Sequence, residues 1–172
     1  MIWTKRIYMY VLLIRHAHAE EGDFWLKEVK SDMLRPLSKK GIQGFAQAVK
    51  GLQKNISNIT HIYSSQLTRA VQTAEILDCS YQEAKFRVVD GLNPGGKISN
   101  ILNLIREHKE SDFIALVAHW PEVGLVSAEL LTKKKETFIK LKKGSMMLIE
   151  ILEDDAQLLW LLSSRQLALM GK

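Results

Sequence analysis

The feature that most constrains this chain is a continuous apolar run, Tyr8 to Ile14, that ends abruptly in Arg15-His16. A strand without polar alternation is covered on both faces, so it belongs inside a sheet flanked by two layers. Shorter runs follow at Ile59 to Tyr63, Phe86 to Val89 and Phe113 to Ala118. Between them apolar residues recur at helical spacing: Ile42, Phe45, Ala46, Val49 and Leu52, then Leu67, Ala70, Val71, Ala74 and Leu77, then Ile98, Ile101, Leu102 and Ile105. Ser38 is placed to cap the first of these helices, and Pro121 is suited to open one after the fourth strand. His16 to Pro36 reads as a polar loop, and Asp90 to Gly96 as a turn. Ser145 to Leu152 and Gln157 to Leu162, joined by the acidic turn Glu153-Asp154-Asp155, read as a hairpin. The pattern predicts a three-layer α/β/α sandwich with a mostly parallel central sheet and a C-terminal β-hairpin.

The chain has 172 residues with no repeat, low-complexity tract or linker, which predicts a single domain over residues 1–172. Met1 to Tyr8 reads as a possible N-terminal extension, because a start at Met9 already supplies a complete opening strand. No apolar run approaches the roughly 20 residues that span a bilayer, and no cleavage site follows Lys5 and Arg6, so a cytoplasmic location is expected. The single cysteine, Cys79, excludes an intramolecular disulfide and argues against a thiolate metal site. The formal charge of +5 resides largely in Lys133–Lys135 and Lys140–Lys143, without interleaved aromatics. That pattern speaks against nucleic acid and fits an anionic small group or an acidic protein partner.

Sheets of this kind bind ligands beyond the carboxyl ends of their strands. There the sequence offers Arg15-His16 after the first strand, Ser64-Ser65 leading to Arg69 after the second, and His119 after the fourth. Taken singly, a histidine at a strand end is an ordinary boundary residue, and Arg69 alone is a solvated helix residue. Their convergence on one edge changes that reading. A phosphoryl group spreads its charge over three oxygens, which planar, permanently charged arginines bind bidentately. A neutral imidazole attacks phosphorus to give a covalent intermediate. A second histidine, expected here as a cation, adds electrostatic stabilisation without a metal.

Leu13-Ile14-Arg15-His16-Ala17 resembles the RHG signature of the histidine phosphatase (phosphoglycerate mutase-like) superfamily. The run from Ser64 to Ala74, with Arg69-Ala70 and Thr73-Ala74, is similar to its second block, and Val117-Ala118-His119-Trp120-Pro121 to its third. Asp32 and Arg35-Pro36-Leu37-Ser38, with Gly41 soon after, resemble a segment of the small SixA-type phosphohistidine phosphatases. The resemblance implies a phosphohistidine phosphatase with His16 as the phosphorylated nucleophile. Arg15 and Arg69 would clamp the phosphoryl oxygens, and His119 would complete the phosphate-binding pocket. It implies no cofactor and no metal, and a substrate that is a phosphorylated protein, for instance a histidine phosphotransfer domain, or a small phosphorylated molecule. Arg35 is structural or lines the entrance, with the structural role preferred.

Two features depart from that pattern. Ala17 stands where glycine is usual, and the superfamily's glutamate has no clear counterpart: Asp90, Glu20, Asp23 and Asp32 are all weak candidates for a proton donor. Phosphohistidine suits this lack, since imidazole leaves with less proton assistance than an alkoxide. A metal site built from His16 and His18 with His61, His108 or His119 is disfavoured, because the i, i+2 pair shares a face only if the strand reaches His18. His18 is expected in the loop at the pocket mouth. Other functions open to the same residues are a small-molecule phosphomonoesterase and a non-catalytic phosphate-recognition module. Without a large cap insertion the site is expected to be open and shallow.

Overall fold

A computed structural model of the chain describes residues 7–29, 31–110, 112–137, 139–153 and 155–172. Its six strands form one sheet in the order β3-β2-β4-β1-β5-β6, with β1 Ile7–Arg15, β2 His61–Ser64, β3 Lys85–Val88, β4 Phe113–Ala118, β5 Met146–Leu152 and β6 Ala156–Leu162. β1 pairs parallel with β4 and antiparallel with β5, so the strand with the longest apolar run sits between two others, as its sequence demands. β2, β3 and β4 extend the parallel half, and β5–β6 is the expected hairpin.

The helices α2 Lys39–Gln53, α3 Thr68–Asp78 and α6 Ser164–Met170 cover one face, around Leu12, Ile14, Phe45, Leu52 and Leu77. The helices α4 Ile98–Arg106 and α5 Glu122–Thr132 cover the other, around Val11, Leu13, Ile101, Leu116 and Val126. Alternate residues of β1 thus feed separate cores. Ser38 caps α2 by accepting from the Gly41 N–H, and Pro121 stands at the N-cap of α5.

The structure differs from the sequence reading in three places. The stretch from His16 to Pro36 carries a helix, α1 Gly22–Val29, and a 3-10 turn at Asp32–Leu34. A further helix, α6, follows the hairpin, opened by a capping box in which Ser163 and Gln166 satisfy each other's backbone N–H groups. Its short apolar stripe makes sense only against α2, where Leu167 is buried. The opening strand starts at Ile7, opposite Leu152, so part of the stretch read as an extension belongs to the sheet; Met1–Arg6 lie outside the described residues.

Gly41 shows how the site is drawn together. A Cβ there would run into the His18 carbonyl, so α2 approaches the chain just beyond His16 at backbone distance. Gly44, in the same helix, has open space around it. Gly41→Ala is therefore expected to lower stability by about 1–3 kcal/mol through overpacking. Gly44→Ala should raise it by up to about 1 kcal/mol through helix propensity. Urea unfolding midpoints check both signs.

Candidate active site

Arg15 and His16 leave the sheet at its centre, and their backbone is held from both sides. The His16 N–H donates to the Ala118 carbonyl (3.0 Å), and the Gly144 N–H donates to the carbonyls of Arg15 (3.0 Å) and His16 (2.9 Å). Gly144 has φ 75°, a left-handed conformation that glycine adopts without strain. The Ala17 N–H donates to Thr73 Oγ1 at 3.0 Å, and Thr73 in turn donates to the Arg69 carbonyl at 2.6 Å. Ala17 is buried and accommodated, so the methyl group does not open the turn.

His16 Nδ1 lies 2.7 Å from the Ala17 carbonyl oxygen. A carbonyl only accepts, so Nδ1 carries the proton and Nε2 keeps its lone pair. His16 is 6% exposed, and burial, reinforced by His119, Arg69 and Arg15, pushes its pKa down to about 3. The ring is neutral at physiological pH, the state a nucleophile needs.

His119 faces it with ring centroids 5.1 Å apart. Its Nε2 is 2.7 Å from Ser65 Oγ, and the Ser65 hydroxyl donates onward to Asn93 Oδ1 at 3.1 Å. The Asn93 amide is oriented by Gln66, whose N–H donates to Oδ1 and whose Oε1 accepts from Nδ2. With its own proton committed to Asn93, Ser65 accepts from His119, which fixes the Nε2–H tautomer. Burial first, then Arg69, pushes His119 down to about 3. Without a ligand His119 is therefore neutral, not the cation expected from sequence, because burial and three arginines, Arg69, Arg15 and Arg35, outweigh Asp32.

Arg69 is 5% exposed. Its Nη2 pairs with Asp32 Oδ2 at 2.9 Å and its Nη1 donates to the Asp32 carbonyl at 2.8 Å. Asp32 Oδ1 also takes Arg35 Nε at 2.8 Å, and Arg35 Nη1 donates to the Glu20 carbonyl at 2.9 Å. Burial raises the Asp32 pKa, but Arg35 and Arg69 outweigh it and hold the carboxyl below its ordinary range. Asp32 is thus a counter-ion and not a proton donor, and Arg35 both braces it and lines the neighbouring cavity. Arg15 Nη1 donates to the Leu141 carbonyl at 2.7 Å. The Nε atoms of Arg15 and Arg69 are buried with no hydrogen-bond partner among the described residues, donors that an oxyanion would satisfy.

The structure therefore brings His16 and His119 together, with Arg15 and Arg69 close enough to lower the His16 pKa. The site is not shallow, since both imidazoles are almost fully buried and the segment carrying Asp32 lies against Arg69. A cavity of ≈ 670 Å³ is walled by His18, Glu20, Asp23, Arg35, Lys40 and Lys143. Lys143 is pushed down by burial and by Arg15, Arg35 and Arg69, which marks one shared positive field. Asp90 is exposed on the 3-10 turn after β3.

Sequence reasoning passed over the Ser65–Asn93 relay and Glu122. The latter is buried, accepts from the Gly95 N–H at 2.7 Å, and so fastens the loop that bears Asn93. The Asn93-Pro94-Gly95-Gly96 turn was the available signal for the first; nothing local marks the second.

A six-stranded sheet with two imidazoles and two arginines at its central carboxyl edge has the phosphoglycerate mutase-like α/β fold. Residues 11–93, just under half of the chain, match the family model described as histidine phosphatase superfamily (branch 1). No curated protein sequence matches it significantly. Among solved structures it is similar to the protein histidine phosphatase SixA complexed with tungstate (24% identity, 92% of this chain and 99% of that one, TM-score 0.76). It is also similar to a putative SixA phosphohistidine phosphatase from Nakamurella multipartitia (18%, 92% and 97%, 0.75). A putative alpha-ribazole-5'-P phosphatase from Escherichia coli K-12 shares the fold as well (19%, 91% and 98%, 0.73). Among the described residues no helix is long and apolar enough to cross a membrane.

The depressed histidines make stability depend on pH. The unfolded chain takes up protons on these imidazoles from about pH 6.5 downward, whereas the folded chain does so only near 3. Their contribution is complete above 6.5 and is lost as pH falls toward 3, the same direction as for the depressed carboxyl of Asp32. Urea midpoints are expected to fall over that interval, and less steeply in His119→Gln.

Proposed function

We propose that the chain is a phosphohydrolase that works through a phospho-His16 intermediate, with protein phosphohistidine as its substrate class. The observation that carries this reading is the state of His16: buried, neutral, and fixed with its proton on Nδ1, so that Nε2 bears the lone pair. Nε2 attacks phosphorus, the P–N or P–O bond to the leaving group breaks, and the leaving group takes its electron pair. Water then attacks the phospho-imidazole, yielding inorganic phosphate and restoring neutral His16. Arg15 and Arg69 hold the equatorial oxygens, and the dianion's own charge favours protonation of His119 once bound. Positive charge comes from guanidinium groups, so this reading requires no metal.

Phosphohistidine fits the scarcity of acids. Asp32 is held ionised by two arginines, and Glu20 and Asp23 line the cavity beside the site rather than contacting either imidazole. A leaving imidazole tolerates that lack better than an alkoxide does. Lys40, Arg35 and Lys143 stand at that cavity beside Glu20, Glu21 and Asp23, a mixed-charge rim that suits a charged protein surface. In this reading residues 1–172 form one histidine phosphatase domain, at work in the cytoplasm. A small-molecule phosphomonoesterase is the second reading, favoured by the burial of both imidazoles and by the likeness to a putative alpha-ribazole-5'-P phosphatase.

Two experiments test the reading. After brief exposure to a labelled phosphohistidine protein and an acid-free quench, the label is expected on His16, and His16→Ala should lose both label and turnover. A label on another residue refutes the mechanism. Faster kcat/KM on small phosphomonoesters than on the phosphohistidine protein overturns the substrate class but leaves the mechanism standing. Separately, Arg69→Lys should lower kcat/KM by about 10²–10³-fold, because a point charge does not replace the bidentate fork.

A further inference from the structure

At the other end of the strands that carry the phosphoryl site lies a second cluster of chemistry-bearing side chains. His61 opens β2, Asp112 stands just before β4, and His108 lies in the turn after α4. One potential ligand atom from each falls within 4.8 Å of the others. β4 runs from Phe113 to Ala118, so the cluster is separated from His119 by the length of a six-residue strand, about 20 Å. From these placements we propose that His61, His108 and Asp112 form a binding site for a divalent transition-metal cation of the zinc type, distinct from the phosphoryl site.

The donor set suits the ion. Two imidazoles and one carboxylate are borderline ligands that zinc accepts in tetrahedral geometry, with the fourth place left to water. Tetrahedral ligands about 2.1 Å from zinc lie roughly 3.4 Å from one another, so the widest separation must close by up to about 1.4 Å while the His108–Asp112 pair opens slightly. His108 Nδ1 and Asp112 Oδ2 are already 2.9 Å apart. His61 stands against His108 in a T-shaped arrangement at 4.5 Å between centroids. A turn-closing hydrogen bond explains the His108–Asp112 pair by itself, and the Lys109 N–H to Asp112 Oδ2 at 3.0 Å strengthens that turn. His61 brings a second imidazole from β2 to the same spot, with its Nδ1 2.9 Å from Thr60 Oγ1 and its ring stacked on Tyr63.

The surroundings supply an orienting shell. His108 Nε2 lies 3.0 Å from the Tyr63 hydroxyl, and Tyr63 is buried. A metal-bound histidine keeps its other ring nitrogen hydrogen-bonded, which fixes ring and tautomer. A tyrosine hydroxyl serves here because it both donates and accepts. Without metal, Nδ1–H faces Asp112 and Nε2 accepts from Tyr63. With metal on Nδ1, the proton moves to Nε2 and Tyr63 turns to accept it, so the exchange leaves no uncompensated proton. His108 is buried while His61 and Asp112 are half-buried, which gives an ion a path in. Lys85 and Arg87 on the neighbouring strand lie near enough to lower the His61 pKa. They oppose a dication and limit affinity without blocking the site.

The test uses the full chain and Zn²⁺ alone, followed by calorimetry and by thermal unfolding. Binding of one ion per chain and a rise in Tm are expected, since an ion that binds only the folded state stabilises it. His61→Ala and Asp112→Asn should each weaken binding at least about tenfold and abolish the rise, while hydrolysis of an aryl phosphate stays unchanged. His18→Gln, at the phosphoryl mouth, should bind as the wild type. Absence of binding, or equal binding by the His61 and Asp112 variants, overturns the proposal. Should either variant fail to fold, imidazole ¹⁵N shifts of the wild-type chain decide: movement of His61 and His108 on Zn²⁺ titration supports the site, and movement elsewhere refutes it. The binding, Tm and ¹⁵N readouts do not depend on the proposed phosphatase reaction.

Discussion

The whole arrangement depends on how the end of β1 is pinned. β1 is hydrogen-bonded on both edges, to β4 in parallel and to β5 in the opposite sense, so its register is fixed twice. Where the strand stops, Ala118 takes the His16 N–H and Gly144 donates to the last carbonyls. That single junction joins residues from the start, middle and end of the chain. It explains why a polar dipeptide can follow a fully apolar strand into a buried position. The N–H groups of His16 and Ala17 and the carbonyls of Arg15 and His16 are all hydrogen-bonded there, which leaves the side chains to meet a ligand.

Above that junction the structure concentrates positive charge in a nearly dry volume. Burial alone makes both imidazoles reluctant to ionise, and each neighbouring cation adds to the effect. Asp32 is the compensating charge. It reaches Arg69 with its carboxylate and its carbonyl and holds Arg35 with the other oxygen. Removing one partner from such a pair leaves an uncompensated charge, which costs more than the pair contributes. The 3-10 turn of Asp32–Leu34 thus acts as part of the site through the Arg69 ion pair and through the charge of Asp32 on His119. The second imidazole is set by a separate chain of neutral hydrogen bonds through Ser65, Asn93 and Gln66, anchored in turn by Glu122.

The sequence allowed much of this to be read in advance. Continuous apolar runs located β1 and β4 closely, and β4 coincides with its predicted span from Phe113 to Ala118. The helical stripes gave α2, α3 and α4, with Ser38 as the cap of α2. Failures came where local signals were weak or depended on distant partners. The stretch after His16 is polar enough to read as a loop, yet it folds into α1 and a 3-10 turn once Arg35 and Arg69 hold Asp32. α6 carries too short a stripe to be recognised alone, and its burial comes from α2. Ile42 sits on the expected apolar stripe of α2 but is exposed. The neutral state of His119 in the unliganded site was not legible, because a histidine's protonation depends on desolvation and neighbours that no spacing rule reveals.

The sequence by itself determined the sheet's central strand and the four side chains at its carboxyl edge. Both follow from periodicity and residue type, which act over a few residues at a time. Only the tertiary structure decided that His16 and His119 are neutral and that Asp32 is a counter-ion rather than an acid. It alone gathered His61, His108 and Asp112 at the far end of the strands. Those outcomes are set by burial and by charges brought together from distant parts of the chain, and such sums exist only once the chain has folded.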